Sequence, residues 1–178
     1  MIKATDVKKL RDMTGAGMME ARAALQESGG DFDKAIQILK KRGATIAAKK
    51  AQRQVANGVV GAYVHIGNRV AALVEVKVET DFVAKDPKFV EFANKLAMHI
   101  AGMDPKYLSC DDIPAKELKG QGDADAYAKE VCLIEQPYVL DQDKSIKDFV
   151  NEQISHFKEN IQIGRFVRLE LGAAEAGE

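Results

Sequence analysis

The alternation of apolar and polar residues near the middle of the chain is its clearest pattern. Apolar residues recur at every second position in residues 60–66 and 70–78, with Gly67 and Asn68 between the two runs. Period-two alternation predicts strands with one buried face, and a Gly-Asn pair predicts a hairpin turn. We therefore expect an antiparallel hairpin, followed after a corner at residues 80–83 by a helix that begins at Asp86 and Pro87.

Apolar residues with helical spacing come before the hairpin. They predict helices over residues 5–13, 18–28 and from 31 onward, separated by glycines. The expected inward positions are Val7, Leu10, Ala21, Ala24, Leu25, Phe32, Ala35, Ile36 and Leu39. Residues 40–53 are rich in Ala and Lys, which predicts a helical extension and linker. This segment is interpreted either as a solvated charged face or as a docking surface for an acidic partner or nucleic acid.

The second half of the chain alternates helical patterns with loops and ends in a strand pattern. We expect a helix lined by Phe89, Ala93, Leu96 and Ile100, then a loop over residues 104–123. Helices are predicted over residues 124–135 and 145–157, and a last strand over 163–171, beside the hairpin. The predicted fold is α+β, with an N-terminal three-helix bundle followed by a three-stranded antiparallel sheet packed with helices.

Charge divides the 178 residues unevenly. Residues 1–54 carry twelve Lys and Arg against six Asp and Glu, while the remaining residues carry fourteen against twenty-one. A basic module joined to an acidic body predicts two parts with different contact surfaces. We therefore expect a domain with its linker at 1–54, a core domain at 55–172 and a frayed tail at 173–178.

The sequence contains no recognisable catalytic pattern. Cys110 and Cys132 are expected to be reduced thiols, and the three histidines match no metal-ligand spacing. Gly15-Ala16-Gly17 lacks the Lys and Ser/Thr of a phosphate-binding loop. We expect no enzyme activity, cofactor or metal. No apolar run approaches the ~20 residues that span a bilayer, and the N-terminus lacks a signal-peptide pattern, so we expect a cytoplasmic protein without membrane contact.

Two pairs of residues are candidates for partner contacts. Met18 and Met19 open the second helix, where successive side chains point about 100° apart, so at least one is expected to face outward. The alternative is that both fill a thin core. Asp81 and Phe82 follow the best predicted strand. Either Phe82 packs beneath the next helix and Asp81 caps a turn, or the exposed pair contacts a partner.

Several segments resemble the translation elongation factor Ts family. Residues 10–25, Leu-Arg-Asp-Met-Thr-Gly-Ala-Gly-Met-Met-Glu-Ala-Arg-Ala-Ala-Leu, are similar to its N-terminal signature, and residues 80–83, Thr-Asp-Phe-Val, to its second. Residues 47–51 and 133–138 agree as well, so the similarity spans nearly the whole chain. The preceding residues, Lys77, Val78 and Glu79, differ from the family's usual Asn, small residue and Gln.

The resemblance implies a fold, a partner and a set of contact residues. The N-terminal bundle would be a ubiquitin-associated-type (UBA-like) domain, and the protein a guanine-nucleotide exchange factor for elongation factor Tu. Residues implied to contact that GTPase are Met18, Met19, Arg22, Lys50, Asp81 and Phe82. The segment Thr80, Asp81, Phe82 and Val83 would dislodge the partner's Mg²⁺. The chain has room for one core, and short members of the family are expected to dimerise. The resemblance therefore implies a homodimer with the sheet or the last helix at its interface.

Three alternatives compete with this interpretation. A nucleic-acid-binding module could use the basic linker, although that segment lacks the aromatic residues that stack on single strands. We therefore expect no direct binding of nucleic acid. A ubiquitin-type adaptor would leave the α+β core unexplained, and an enzyme would need a constellation of reactive residues that the sequence does not contain.

Overall fold

The computed structural model describes residues 2–118 and 122–173. The predicted α+β fold is confirmed, since helices and a three-stranded sheet are both present. Residue contacts divide the chain into two compact units, Met1–Gln54 with Asp148–Ile161, and Val55–Lys147 with Gln162–Glu178. The expected domains at 1–54 and 55–172 stay a prediction. The expected tail lies outside the described residues from residue 174 onward.

The first unit opens with three helices. They are α1 (Ala4–Thr14), α2 (Met18–Glu27) and α3 (Phe32–Lys50). Gly15 ends α1 with a φ of 68°, a left-handed conformation that glycine adopts without steric cost. The Asp31 carboxylate caps α3 by accepting a hydrogen bond from the Lys34 amide at 3.0 Å. Six of the expected inward residues form the buried core: Val7, Leu10, Ala21, Ala24, Leu25 and Ala35. The predicted extension is helical as far as Lys50, because α3 runs through it without a break.

The hairpin and the helices that cover it form the centre of the second unit. These elements are β1 (Asn57–Val64), β2 (Val70–Val78), α4 (Asp81–Ala84) and α5 (Pro87–Met103). The strands pair antiparallel, with Val59 opposite Val76 and Val64 opposite Ala71. The predicted corner after β2 is the single turn of helix α4. The buried side of the sheet packs on α5 through a shared core of Ala72, Val74, Val76, Val78, Phe89, Phe92, Ala93, Leu96 and Ile100.

Six further α-helices and β-strands follow α5 in the described part of the chain. They are α6 (Ala115–Leu118), α7 (Ala124–Val131), β3 (Pro137–Tyr138), β4 (Asp141–Ser145), α8 (Ile146–Phe157) and β5 (Ile161–Glu170). The prediction of a helix to residue 135 was wrong. After Val131 the chain bends, because the Leu133 amide donates to the Tyr107 carbonyl at 2.9 Å. The small hairpin β3–β4 was not predicted. Strand β5 lies beside β2, as expected.

His99 is a buried structural residue. Its Nδ1 accepts a hydrogen bond from the Val139 amide at 3.2 Å, so the ring proton sits on Nε2, 2.9 Å from Gln136 Oε1. The Gln136 amide nitrogen donates in turn to the carbonyls of Met103 and Glu130. Burial lowers the pKa of His99, which keeps the ring neutral. This network ties α5 to the segment that leads into β3.

Helix α5 lies very close to β1 at Gly61. A Cβ atom at this position would overlap the carbonyl oxygen of Ala93 and lie 3.0 Å from its Cβ. The close contact between helix and strand therefore requires glycine. Backbone atoms of a packed helix cannot move aside as a flexible side chain can, so a larger residue must push the helix off the sheet.

We expect Gly61→Ala to destabilise the protein by about 1–3 kcal/mol, the usual cost of overpacking a core. Thermal unfolding would report this as a lower Tm, by roughly 2–4 °C per kcal/mol for a chain of this size. The matched control is Gly102→Ala, which stays in helix α5, where the nearest atom to an added Cβ is 4.0 Å away. The control should be neutral or slightly stabilising. Equal melting temperatures for Gly61→Ala and the wild type would contradict the proposed close contact.

Candidate partner-binding surfaces

The residues 80–84 form a short, well-anchored turn. The Thr80 hydroxyl caps α4 by accepting a hydrogen bond from the Val83 amide at 3.4 Å. Val83 and Ala84 are buried. The amide of Lys85 donates to the carbonyl of Asp81 at 3.1 Å, which completes the turn. Thr80, Val83 and Ala84 therefore hold the turn in place, and the side chains of Asp81 and Phe82 point away from the core.

Phe82 presents its aromatic ring to solvent. Its side chain is 83% exposed, although the next two residues are buried. Successive helical residues point about 100° apart, so burial of Val83 and Ala84 directs Phe82 outward. The interpretation of Phe82 as a core residue is wrong. An exposed phenylalanine offers an apolar surface to a partner. Because its turn is already rigid, binding at this residue costs little further conformational entropy.

Asp81 is ionised and only loosely held. Its carboxylate accepts a hydrogen bond from Lys85 Nζ at 2.7 Å, and both side chains are largely exposed. This Lys85 contact lowers the pKa of Asp81. Exposed ion pairs contribute little to stability, so a partner can replace the lysine at small cost. Lys85 was not among the predicted site residues. Its spacing of four residues from Asp81 is nevertheless the spacing at which opposite charges pair on a helix.

Both methionines at the start of α2 are exposed. Met19 is 76% exposed and Met18 is 46% exposed. The alternative that both fill the core is therefore wrong. The preceding loop is well ordered by hydrogen bonds: the amide of Gly17 donates to Glu20 Oε2 at 3.2 Å, and the Thr14 hydroxyl donates to the Leu10 carbonyl at 2.7 Å. The helix start thus holds two flexible apolar side chains in solvent.

Met13 is a third exposed methionine of the N-terminal unit, and it was not among the predicted contact residues. It lies in the last turn of α1 and is more than half exposed. Its exposure could not be predicted from the sequence, because a residue three positions after an inward residue such as Leu10 can also face inward on a helix. Arg22, one turn beyond Met18 and Met19 on α2, is exposed as well.

Lys50 has a partner within its own unit. Its Nζ donates a hydrogen bond to the carbonyl of Lys158 at 2.6 Å, just beyond the end of α8. Cations stabilise helix C-termini, where carbonyl groups lack intrahelical partners. Lys158 Nζ in turn pairs with Glu20 at 2.9 Å and lowers the pKa of that carboxyl. Lys50 therefore contributes a structural contact in this unit, and its role toward a partner stays a prediction.

The side of the sheet that faces away from α5 is apolar and exposed. Arg168 of β5 donates from Nε to the Ala101 carbonyl of α5 at 3.0 Å, which locates Arg168 on the α5 side and its neighbours Val167 and Leu169 on the outer side. Glu75 of β2, between buried Val74 and Val76, also faces outward and accepts a hydrogen bond from Arg165 Nε at 3.2 Å. We call the exposed apolar residues on this outer side the outer sheet face: Val60, Val64, Leu73, Val167, Leu169 and Leu171. The Arg165 contact also lowers the pKa of Glu75 to about 2, so a charged pair borders the apolar residues.

The described residues contain neither a cluster of potential metal ligands nor a helix that could span a membrane. Among them, no group of three or more His, Cys, Asp and Glu side chains is arranged to hold a metal ion. Within the same described ranges, none of the helices is both long enough and apolar enough to traverse a lipid bilayer.

The fold defines an α+β protein with an N-terminal helical unit and an antiparallel sheet. The family model described as elongation factor TS matches residues 14–123 and 119–173. Elongation factor Ts of Pseudothermotoga lettingae is 42% identical, with 96% of this chain and 98% of that protein aligned. The corresponding values are 44%, 97% and 91% for elongation factor Ts of Acetivibrio thermocellus, and 45%, 97% and 96% for that of Thermoanaerobacter pseudethanolicus.

The chain belongs to the elongation factor Ts family, and so to the translation elongation factors of protein biosynthesis. The resemblance found in residues 10–25 and 80–83 is confirmed over the length of the protein.

Proposed function

We propose that this protein is a guanine-nucleotide exchange factor that accelerates GDP release from elongation factor Tu. The observation that carries the proposal is the exposed ring of Phe82 on the anchored turn α4. Family membership supplies the identity of the partner. The proposed activity changes the partner's shape by non-covalent contacts, so Phe82 and Asp81 act in it without forming or breaking a covalent bond.

The proposed target is the Mg²⁺ site of the GTPase. In such a site Mg²⁺ bridges phosphate and protein oxygens and demands near-ideal octahedral geometry. A rigid ring inserted beside the site and displacing the surrounding elements by about 1 Å would spoil that geometry, because packed cores shift between discrete arrangements rather than deform smoothly. Phe82 suits this role because Thr80 and Val83 hold its turn in place.

Asp81 supplies negative charge next to the ring. The carboxylate is ionised, and its ion pair with Lys85 is exposed to solvent. In the complex, the carboxylate can exchange Lys85 for hydrogen-bond donors that otherwise hold the water shell of the partner's Mg²⁺. Asp81 would therefore compete for the hydrogen-bond donors around the metal, while Phe82 displaces the elements that surround it.

Docking of the N-terminal unit provides the free energy that offsets this distortion. Met18, Met19 and Arg22 form an exposed apolar surface with an adjacent positive charge at the start of α2. Flexible, polarizable methionine side chains adapt to a partner's surface. By linkage, a factor that weakens nucleotide binding is itself bound more weakly when nucleotide is present, by the same free energy. Docking must be tight, because a factor that prefers the distorted state of its partner 10⁴-fold has to supply about 5.5 kcal/mol of differential binding free energy.

The direct test measures nucleotide release from elongation factor Tu loaded with a fluorescent GDP analogue, mant-GDP. Adding this protein should raise the release rate until it reaches a plateau at saturating factor. The test should be repeated with excess Mg²⁺, which opposes loss of the metal and should lower the observed rate. A release rate that does not change with factor concentration would contradict the proposed activity.

We also propose that the protein forms a homodimer through the outer sheet face. Six apolar side chains lie on it, exposed in the single chain, and charged groups such as Arg165 and Glu75 lie at its border. A two-fold dimer brings the same surface of both copies together, and two sheets packed face to face bury alternate residues of each strand. The observed alternation of Leu169 and Leu171 with polar neighbours fits that arrangement.

Leu169→Lys should convert the dimer to a monomer. Sedimentation equilibrium of the wild-type protein alone should give twice the 19.5 kDa of one chain, whereas the variant should give that of one chain. Lysine in the middle of an apolar interface leaves a buried charge without a partner, which costs several kcal/mol. Val90→Lys, an exposed valine on α5, is the matched control and should stay dimeric. A wild-type protein that remains monomeric at high concentration would contradict the dimer.

A further inference from the structure

The two cysteines lie on segments that run side by side in the second unit. Tyr107 and Cys132 form a parallel bridge, the amide of Leu133 donates to the Tyr107 carbonyl at 2.9 Å, and the amide of Ile134 donates to the Leu108 carbonyl at 3.2 Å. Cys110 follows this paired segment by two residues. The backbone therefore brings two positions that are 22 residues apart in sequence to the same place.

The two thiols have different environments. Cys110 is exposed in the short turn Cys110–Asp112, whereas Cys132 is fully buried in a cluster with Ile113 and Val131. Burial, together with hydrogen bonding to Cys110, raises the pKa of the Cys132 thiol to about 12. The side chains therefore interact, and one of them is within reach of a dissolved oxidant.

We propose that Cys110 and Cys132 form a reversible disulfide within one chain when the protein meets a peroxide. The exposed Cys110 thiolate attacks a peroxide oxygen, the O–O bond breaks, and hydroxide leaves to give a sulfenic acid at Cys110. The Cys132 sulfur then attacks the Cys110 sulfur, the S–O bond breaks, and the hydroxyl group departs as water with the Cys132 proton. Two thiols are oxidised and one hydrogen peroxide is reduced to two waters.

The order of events follows from exposure. Peroxide reaches Cys110 first because Cys132 has no exposed surface. The thiolate is the reactive form of a cysteine, and at neutral pH the raised pKa keeps Cys132 protonated, so its own reaction with peroxide is slow. Attack of Cys132 on the Cys110 sulfenic acid also uses the thiolate, but this step takes place within one chain between neighbouring segments, and proximity offsets the low thiolate fraction. The resulting bond would add a covalent link between the turn Cys110–Asp112 and the end of α7, which backbone hydrogen bonds and the packing of Ile113 against Val131 already join.

The test treats the full chain with hydrogen peroxide and measures intact mass, free thiols and disulfide-linked peptides. The two free thiols of each chain should fall to none, the mass should decrease by the two hydrogens lost, and a peptide linking Cys110 to Cys132 should be found. Dithiothreitol should restore both thiols and the original mass. The oxidised protein should also melt at a higher temperature, because the bond restricts the unfolded chain.

Two variants keep the test decisive. Cys110→Ser, at an exposed position, should retain the unmodified thiol of Cys132 and show no loss of mass. Cys132→Ser should stop at a sulfenic acid on Cys110, trapped by dimedone. Three outcomes would each overturn the proposal, because each shows that the two sulfurs of one chain do not react with each other. They are disulfide-linked pairs of chains, sulfinic acid on Cys110 while Cys132 stays reduced, and the absence of a linked peptide in the wild-type protein.

Discussion

Phe82→Ala should lower the maximal rate of GDP release from elongation factor Tu by at least about tenfold while leaving docking nearly intact. Aromatic residues buried in an interface are often worth about 2–4 kcal/mol, and 1.4 kcal/mol corresponds to a factor of ten. The ring is solvent-exposed in the chain alone, so its removal should not destabilise the protein. The loss should therefore fall on the nucleotide-release step, where the ring is proposed to displace the Mg²⁺ site.

The measurement is mant-GDP release at increasing concentrations of factor. For Phe82→Ala we expect a lower plateau with a similar half-saturating concentration, because the docking surface on the N-terminal unit is unchanged. Ile66→Ala removes another exposed apolar side chain from the same unit and should leave both values unchanged. A plateau equal to that of the wild type would remove the ring from the mechanism. A plateau that is restored simply by adding more factor would assign Phe82 to docking instead.

Met19→Asp should weaken docking by about 30-fold or more, which corresponds to about 2 kcal/mol. A carboxylate introduced at the centre of an apolar contact loses its hydration without gaining a partner. Met19 is 76% exposed at the start of α2, so the substitution should leave the free protein's fold unchanged. Negative charge in the first turn of a helix is also favourable, which removes one reason for destabilisation.

Calorimetric titration of nucleotide-free elongation factor Tu measures this affinity directly. Leu140→Asp, the same kind of change at an exposed leucine of the second unit, serves as the control and should bind as the wild type does. Because docking and metal displacement are assigned to different residues, Met19→Asp should still reach the wild-type plateau of GDP release at sufficiently high concentration. Undiminished affinity of Met19→Asp would exclude the start of α2 from the interface.

The elements predicted from the sequence were those with long, regular patterns. The five apolar positions at period two between residues 70 and 78 correctly predicted β2, and the helical spacing of Phe89, Ala93 and Leu96 correctly predicted α5. Most failures fell where the patterns are short. The alternation of residues 60–66 was an exception: it predicted a buried apolar face, but Val60, Val64 and Ile66 are exposed because α5 covers the opposite side of the sheet. Helix α7 ends four residues before its predicted end, because hydrogen bonds to the segment at Tyr107 outweigh the local helix preference. The strands β3 and β4 were too short to leave a pattern.

The candidate site was predicted only as a set of alternatives. A phenylalanine after a strand is equally compatible with a core position and an exposed one, because spacing alone does not say which side of a single turn is covered. Burial of Val83 and Ala84 against the second unit's core resolved this for Phe82. Spacing alone was also insufficient for Met18 and Met19. At least one of the two was expected to be exposed, and the structure shows that both are.

The sequence by itself determined the periodic elements, the order of the longer helices and strands, and the family, because these depend on patterns that are local in the chain. Tertiary structure decided which apolar side chains stay in solvent, which of them share one side of the sheet, and how Cys110 and Cys132 come together. These properties depend on contacts between residues far apart in sequence. The physical reason is that burial is set by what packs against a residue, and no local pattern specifies that neighbour.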